Sequence, residues 1–418
     1  MKYGTKRNLQ LDTLRGIAII LVFGRHLELP RPEGLLGVFA GAWYQIGWLG
    51  VDLFFVLSGF LIGGLLVTEL HQHGSIDVPR FLVRRGLKIY PPYFAFIAYL
   101  MLMPALKASW SGQSVWGAFA SEWDRYWPNL LFLQNYIGSN PAGHTWTLAV
   151  EEHFYLMLPF ALVALVSAGR VRTLLPLCLF AAPVIVLSLR MVSVMMEDAY
   201  ATKMAATHLR LDALLFGVGI RAVAQYLPGW FNAARKWRLG LVVAGLTCWS
   251  IHFFLEPTTN FVRIIGLTGT FLGAGAFLVA AFHTHAEDFG PWKRPVLTLA
   301  SLVAWIGVYS YAIYLWHVTA LGIVGREFGG RVLAWFGSTS SIGWLISMIG
   351  VCSGAIFAGI VASIVVEWPV LRLRDKFFPS RSGPLPVPAQ PSAPLADSTG
   401  QRDIPAASAS QLNPSLGA

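Results

Sequence analysis

The residues best suited to chemistry begin with a cation and an imidazole in the first apolar stretch of the chain. Arg15 and His26 are 11 residues apart, so on an α-helix they lie within about 20° of each other and about 16 Å apart along the axis. An ionisable group inside an apolar span is costly, which makes each one a functional candidate. An imidazole titrates near neutral pH and can act as a general base on a hydroxyl, or as a nucleophile that carries an acyl group.

Further ionisable residues fall near the ends of other apolar stretches. If the chain enters the membrane from the cytoplasm, Asp52, Glu151, Glu152 and His317 lie at the depth of His26. A carboxylate beside an imidazole orients the ring and stabilises its charged form. We therefore expect Asp52 and the two glutamates to support His26 in catalysis, although carboxylates are also favourable at the start of any helix.

A basic group is expected at the opposite, cytoplasmic end of the bundle. Arg84, Arg85 and Lys88 begin an apolar stretch there, and Glu367 ends another. Arginine and lysine bind phosphate well, so these residues and Arg15 fit a donor with a phosphorylated head and a long thin arm, such as acyl-coenzyme A. Membrane topology alone would also place basic residues on this side.

The composition indicates which elements must position these groups. Of 418 residues, 55% are hydrophobic and only 12% are charged, which excludes a soluble enzyme. A spanning helix needs roughly 20 apolar residues, and the sequence predicts an all-α bundle of about ten spans. The predicted spans are 11–29, 48–68, 89–106, 147–168, 173–192, 208–227, 239–255, 262–282, 297–322 and 342–366.

The basic residues predict the orientation of this bundle. With the amino terminus inside, roughly 20 Lys and Arg fall in cytoplasmic segments and about eight fall outside. We therefore expect both termini in the cytoplasm. The same segments account for the net charge of +10 without a nucleic-acid partner.

The chain is expected to have three parts. They are a cytoplasmic amino terminus (1–10), a transmembrane domain (11–376) and a disordered cytoplasmic tail rich in Pro, Ser and Ala (377–418). The long outer loop at 107–146 is rich in aromatic residues, including Trp146. These side chains are candidates for stacking on sugars, or for an aromatic belt at the membrane surface. No metal site is predicted, because neither His71 with His73 nor His283 with His285 brings a full ligand set.

Several longer motifs resemble those of the acyltransferase 3 family, the integral-membrane O-acyltransferases of bacterial glycans. The resemblance runs from residue 9 to about 376. The motifs are LDTLRG at 11–16, GVDLFFVLSGFLI at 50–62, RRGLKIYP at 84–91, NLLFLQN at 129–135, WTLAVEEHFY at 146–155 and YLWH at 314–317.

The resemblance implies transfer of an acyl group, most often acetyl from cytoplasmic acetyl-CoA, to a sugar hydroxyl outside the bacterial inner membrane. The acceptor would be lipopolysaccharide, exopolysaccharide or another cell-surface sugar. The critical family pair corresponds to Arg15 and His26, while Asn135, Trp146 and His317 are expected on the acceptor side. Lys88 stands where the family usually has arginine, which leaves open the cation that meets the donor. Some relatives carry a fused esterase-like domain, and we expect none after the short tail.

A different class of protein would use the same intramembrane residues. A secondary transporter or acyl-group exporter could employ them as a proton relay or a substrate path. The two classes differ in one product, because the enzyme releases CoA thiol in step with acylation.

Overall fold

Helices form all the regular structure in the part of the chain that the computed structural model describes, which is residues 8–137, 142–169, 171–196 and 204–381. The predicted all-α class is confirmed. The α-helices are α1 (Leu9–His26), α2 (Gly34–Ile46), α3 (Leu49–His73), α4 (Val78–Trp110), α5 (Val115–Leu130), α6 (Trp146–Ser167), α7 (Val171–Met195), α8 (Leu211–Tyr226), α9 (Pro228–Ala233), α10 (Arg238–Ser250), α11 (Leu267–Phe282), α12 (Lys293–Val308), α13 (Ser310–Val324), α14 (Gly330–Phe336), α15 (Ser341–Ala362) and α16 (Trp368–Phe377). Most of the predicted tail and residues 1–7 lie outside the described residues.

The described residues contain several helices long and apolar enough to cross a bilayer. There are five, or six if one bent pair counts as a single span. The five are Leu49–His73, Val78–Trp110, Gly143–Ser167, Val262–Phe282 and Ser341–Phe377. This pattern is typical of a multi-pass membrane protein.

Three of the ten spans expected from the sequence are absent from this set for two physical reasons. Helix α1 carries Asp12, Arg15 and Arg25 within its 18 residues, so its apolar character is interrupted. Helices α8 and α10 have 16 and 13 residues, fewer than the roughly 20 that a spanning helix needs. The remaining spans and the orientation of the bundle stay predictions.

One predicted span is broken. The sequence predicts a continuous helix at 297–322, whereas the segments Ala286–Val308 and Ser310–Phe336 meet at an angle of 77°. Tyr309 leaves the helical region of backbone conformation, with φ −100° and ψ 9°, and its ring stacks on Trp368 at 5.4 Å. The bend directs α13 into the core, where His317 is completely buried.

Helix α3 lies at the centre of the bundle and packs against α1, α6, α8 and α11. Glycines allow the closest of these contacts. A Cβ atom at Gly59 would lie 1.9 Å from the carbonyl oxygen of Leu214, and one at Gly217 would lie 2.2 Å from that of Val56. Small residues of this kind let membrane helices approach closely, and here they fix α8 against α3.

The turn between α3 and α4 positions the predicted basic residues. Helix α3 ends at Gly74 in the left-handed conformation, with φ +67°. Helix α4 begins at once, because the Asp77 carboxylate accepts a hydrogen bond from the backbone N–H of Arg80 at 3.1 Å. This short turn places the basic start of α4 beside the end of the central helix.

Candidate active site

Two histidines from distant parts of the chain meet at one end of the core. Nε2 of His317 in α13 lies 3.3 Å from Nδ1 of His26, the last residue of α1. His26 lines a cavity of about 310 Å³, which we name the histidine cavity. Its other walls include Trp48, His144, Trp146, Arg210 and Tyr314.

Backbone carbonyl groups determine which ring nitrogens carry protons. Nδ1 of His317 lies 2.6 Å from the carbonyl oxygen of Tyr314, which can only accept, so Nδ1 donates and Nε2 is an acceptor. Nδ1 of His26 faces that acceptor and also the carbonyl oxygen of Val22 at 3.1 Å. A neutral His26 therefore has its proton on Nδ1 and its lone pair on Nε2, which suits it to act as a base or nucleophile.

His144 also lines this cavity, and sequence reasoning missed it. Its ring centroid is 5.1 Å from that of His317. Nε2 donates to the carbonyl oxygen of Leu315 at 3.0 Å, while the buried Nδ1 has no hydrogen-bond partner among the described residues. His144 lies in the short 3₁₀ turn Gly143–Thr145, where no helical period identifies it. The only signal was its place just before the motif that starts at Trp146.

The sequence had led us to expect Asp52 beside His26, but in the structure the two side chains are not in contact. Its carboxylate accepts hydrogen bonds from Nη2 of Arg210, at 2.9 Å to each oxygen. Both side chains are buried, and a buried carboxylate needs such a countercharge. Arg210 directly precedes α8, at the edge of the predicted span 208–227, and the sequence analysis did not identify it as a partner of Asp52.

A second buried ion pair accompanies the first. Arg190, near the end of the predicted span 173–192, is buried and donates to Asp212 at 2.7 Å. Arg221, within the predicted span 208–227, is also buried, with a hydrogen bond to Thr68 at 3.1 Å. Counting charges along the chain cannot distinguish such packed cations from loop cations.

Three of the four cations expected at the donor end line a larger cavity of about 440 Å³, which we name the central cavity. Its charged lining residues are Arg15, Arg85, Lys88, Glu151 and Glu367. The guanidinium of Arg85 lies 5.3 Å above the ring of Tyr155. Within the described residues, the structure gives neither Arg85 nor Lys88 a hydrogen-bond acceptor.

Glu151 and Glu152 also differ from the expected arrangement, because neither lines the histidine cavity. Glu151 faces the central cavity and accepts a hydrogen bond from the Tyr155 hydroxyl at 2.8 Å. That hydroxyl lies 2.5 Å from Oγ of Ser58. Glu152 instead accepts a hydrogen bond from Tyr90 on α4. Neighbouring residues point about 100° apart on a helix, so the two glutamates serve different contacts.

A third cavity of about 220 Å³ is lined by arginines of α4 and by the end of the described chain. We name it the arginine cavity, and its charged walls are Glu69, Arg80, Arg84, Arg85, Lys88, Arg374 and Arg381. It shares Arg85 and Lys88 with the central cavity, which in turn shares Val51 and Tyr314 with the histidine cavity. The three cavities therefore adjoin one another in series.

Arg84 differs from its neighbour Arg85. Its guanidinium donates to the carbonyl oxygen of Phe378 and lies 3.3 Å from the carboxylate of Asp375. Arg80 likewise donates to the carbonyl oxygen of Pro379 at 2.6 Å. These two arginines hold the carboxyl-terminal segment, while Arg85 and Lys88 face the central cavity.

The two remaining predicted acceptor-side residues have different positions. Trp146 lines the histidine cavity, with its ring 5.5 Å from the guanidinium of Arg210. Asn135 donates to Oγ1 of Thr207 at 2.8 Å and to the carbonyl oxygen of Ala205 at 3.2 Å. Asn135 thus holds the segment that leads to Arg210. Among the described residues, no three His, Cys, Asp or Glu side chains are grouped to bind a metal ion.

Comparisons with known proteins identify one family and several relatives of this chain. The sequence profile of a family described as an acyltransferase domain matches residues 8–366. The peptidoglycan O-acetyltransferase OatA of Listeria monocytogenes serovar 1/2a is 26% identical over 328 residues, which are 76% of this chain and 50% of that protein. The O-acetyltransferase OatA of Staphylococcus aureus strain NCTC 8325 is 27% identical over 329 residues, 76% of this chain and 51% of its own length.

The chain thus spans about half the length of these curated relatives. A putative O-acetyltransferase of Staphylococcus aureus strain COL is also similar, at 25% identity over 75% of this chain and 50% of that protein. No solved structure matches the chain.

Proposed function

Because the chain belongs to the acyltransferase 3 family, we propose that it is a membrane O-acyltransferase. It moves an acyl group, acetyl in the first instance, from cytoplasmic acyl-CoA to a hydroxyl of a cell-surface carbohydrate. The observation that carries this proposal is the series of adjoining cavities, which leads from a group of arginines to the His26–His317 pair.

The donor occupies the series from its basic end. Its phosphates bind Arg85 and Lys88, whose donors no described residue uses, in charge-assisted hydrogen bonds. The arm then passes Arg15 through the central cavity. Arg15 and His26 are about 16 Å apart along α1, so the acyl end reaches the histidine cavity.

Acyl transfer takes place at His26. Nε2 accepts the proton of the acceptor hydroxyl while the hydroxyl oxygen attacks the thioester carbon. The tetrahedral intermediate then expels the CoA thiolate, which takes the proton from His26 and leaves as thiol. His317 and the carbonyl of Val22 keep His26 in the required tautomer. In the alternative order, Nε2 attacks the thioester first and an acyl-histidine passes the group to the hydroxyl.

The proposal also covers the membrane topology of the protein and the identity of the acceptor. Ten spans with both termini in the cytoplasm of a bacterial inner membrane would place the histidine cavity toward the outer surface, where glycans lie. The excess of basic residues in the predicted cytoplasmic segments supports this orientation. Because the Listeria relative is a peptidoglycan O-acetyltransferase, peptidoglycan is the first acceptor to test.

The test measures acetyl-CoA turnover by the purified protein in lipid nanodiscs, with soluble peptidoglycan fragments as acceptor. Thiol release and acetylation of the fragments are followed together for wild type, His26→Ala and the control His71→Ala, an exposed histidine at the end of α3. We expect equal amounts of thiol and ester from wild type and the control. His26→Ala should lose about 1,000-fold in rate, as for removal of a general base.

Two results would contradict the proposal. A correctly inserted His26→Ala protein that acetylates at the wild-type rate would remove His26 from the chemistry. Passage of acetyl groups or substrate across vesicles without thiol release would favour the transporter or exporter.

A further inference from the structure

Three residues that line the histidine cavity each have one buried polar atom without a hydrogen-bond partner among the described residues. The atoms are Nε1 of Trp48, Nδ1 of His144 and Nε of Arg210. Buried polar groups in folded proteins are nearly always paired, so an unpaired group calls for an explanation. Three of them around one cavity point to a ligand that both donates and accepts hydrogen bonds.

Arg210 is the charged member of this set, and its side chain is firmly held. Nη2 bonds to both carboxylate oxygens of Asp52, and the guanidinium lies 5.6 Å from the ring of Phe55 and 5.5 Å from that of Trp146. The residue is 3% exposed. The Nε–H bond lies in the guanidinium plane, so contact with ring faces does not satisfy it.

The segment before Arg210 is also fixed. Thr207 Oγ1 contacts Nδ2 of Asn135 at 2.8 Å and Nδ1 of His153 at 2.7 Å. A cation held this rigidly, with its Nε–H unused, needs little reorganisation when negative charge develops nearby. Preorganised donors of this kind stabilise the oxyanion of acyl transfer.

Building on the proposed function, we infer that Arg210 is a catalytic residue that stabilises this oxyanion. When the acceptor oxygen bonds to the thioester carbon and His26 takes its proton, the carbonyl π electrons move to the carbonyl oxygen. Arg210 Nε–H donates to that oxygen. As the C–S bond breaks, the electrons return to the carbonyl and the thiolate leaves with the proton from His26.

Arg190 provides a matched comparison within the same ion network. It is equally buried and pairs with Asp212 at 2.7 Å, but its other nitrogens are satisfied. Nε donates to the carbonyl oxygen of Leu209 at 2.9 Å and Nη1 to Oγ1 of Thr268 at 3.3 Å. Arg190 does not line the histidine cavity, so it has the structural role of Arg210 without the catalytic one.

The experiment measures kcat and the KM for acetyl-CoA in nanodiscs, with soluble peptidoglycan fragments as the acceptor probe. Arg210→Lys keeps a cation for Asp52 but removes Nε–H, and the double variant Asp52→Asn with Arg210→Gln replaces the ion pair by a neutral one. Arg190→Lys is the control. Both Arg210 variants should lose about 100-fold or more in kcat, with the KM for acetyl-CoA within about threefold of wild type, while Arg190→Lys stays within about threefold in kcat.

Each of the following results would overturn the inference about Arg210. An Arg210→Lys protein with kcat near wild type shows that the unused N–H does not act on the reaction. Equal losses of kcat in Arg190→Lys and Arg210→Lys, or failure of both Arg210 variants to insert, assign Arg210 a structural role. A wild-type protein without thiol release would instead refute the proposed function itself, which separates the two failures.

Discussion

The central cavity and the histidine cavity adjoin, yet the cations Arg85 and Lys88 of the first and the histidine pair at the second differ in their hydrogen bonds. In the central cavity, Arg85 and Lys88 have no hydrogen-bond acceptor among the described residues and remain available to a ligand. In the histidine cavity, His26 and His317 bond to each other, and each also bonds to a carbonyl of its own helix.

This difference is what binding and chemistry each require. A cation that binds a phosphate gains most when its donors are not already used by the protein. A base that takes a proton must instead be held in one tautomer and one orientation before the substrate arrives. Substitutions in the central cavity should therefore change the KM for the donor, and substitutions around His26 should change kcat.

The largest of the expected effects on kinetics follows from substitution of His317. His317→Phe keeps a buried ring beside Phe23, which stacks on it at 6.0 Å, but removes the acceptor that faces His26. We expect kcat to fall about 100-fold, comparable to the loss of a residue that orients a reactive group, with little change in the KM for acetyl-CoA. Steady-state thiol release checks both constants. An unchanged kcat would mean that the carbonyl of Val22 alone orients His26.

A smaller effect is expected at Arg85, and its neighbour supplies the control. Arg85→Ala should raise the KM for acetyl-CoA about tenfold and leave kcat nearly unchanged, because a hydrogen bond to a charged group contributes about 1.5 kcal/mol or more. Arg84→Ala should change the KM by less than about threefold, since Arg84 already bonds to Phe378 and Asp375. A larger KM effect at Arg84 than at Arg85 would move the phosphate site to the arginine cavity.

The smallest effect is expected at Glu151. Glu151→Gln keeps an acceptor for Tyr155 and removes one negative charge from a cavity that receives an anionic donor. The KM for acetyl-CoA should fall about threefold at low salt and return toward the wild-type value at high salt, where charge interactions are screened. If kcat instead fell about 100-fold, as removal of a general base would cause, Glu151 would support catalysis as the sequence had suggested.

Much of the donor end could be predicted because it depends on local regularity. The helical period places Arg15 and His26 on one side of α1, and these residues line the central and histidine cavities respectively. The start of α4 is marked by the Asp77 cap, and this turn brings its basic residues to the arginine cavity. Whether these residues perform the proposed roles is for the kinetic experiments to decide.

The acceptor end was harder to predict because its members come from irregular segments. His144 lies in a 3₁₀ turn and Arg210 directly follows another, so no helical period determines where either side chain points. Depth along the predicted spans grouped Asp52 and Glu151 with His26. In the structure they contact Arg210 and Tyr155 instead, because depth says nothing about the direction in which a side chain points.

The sequence by itself determined the helical class, the acyltransferase family and the separation of Arg15 from His26, because composition, motifs and helical geometry are properties of the chain alone. Only the tertiary structure decided which groups meet. His317 contacts His26 in a bundle where the chain bends at Tyr309. Arg210 pairs with Asp52 where glycines let α3 and α8 approach closely. Such contacts depend on the packing of residues far apart in the chain, which no local sequence pattern encodes.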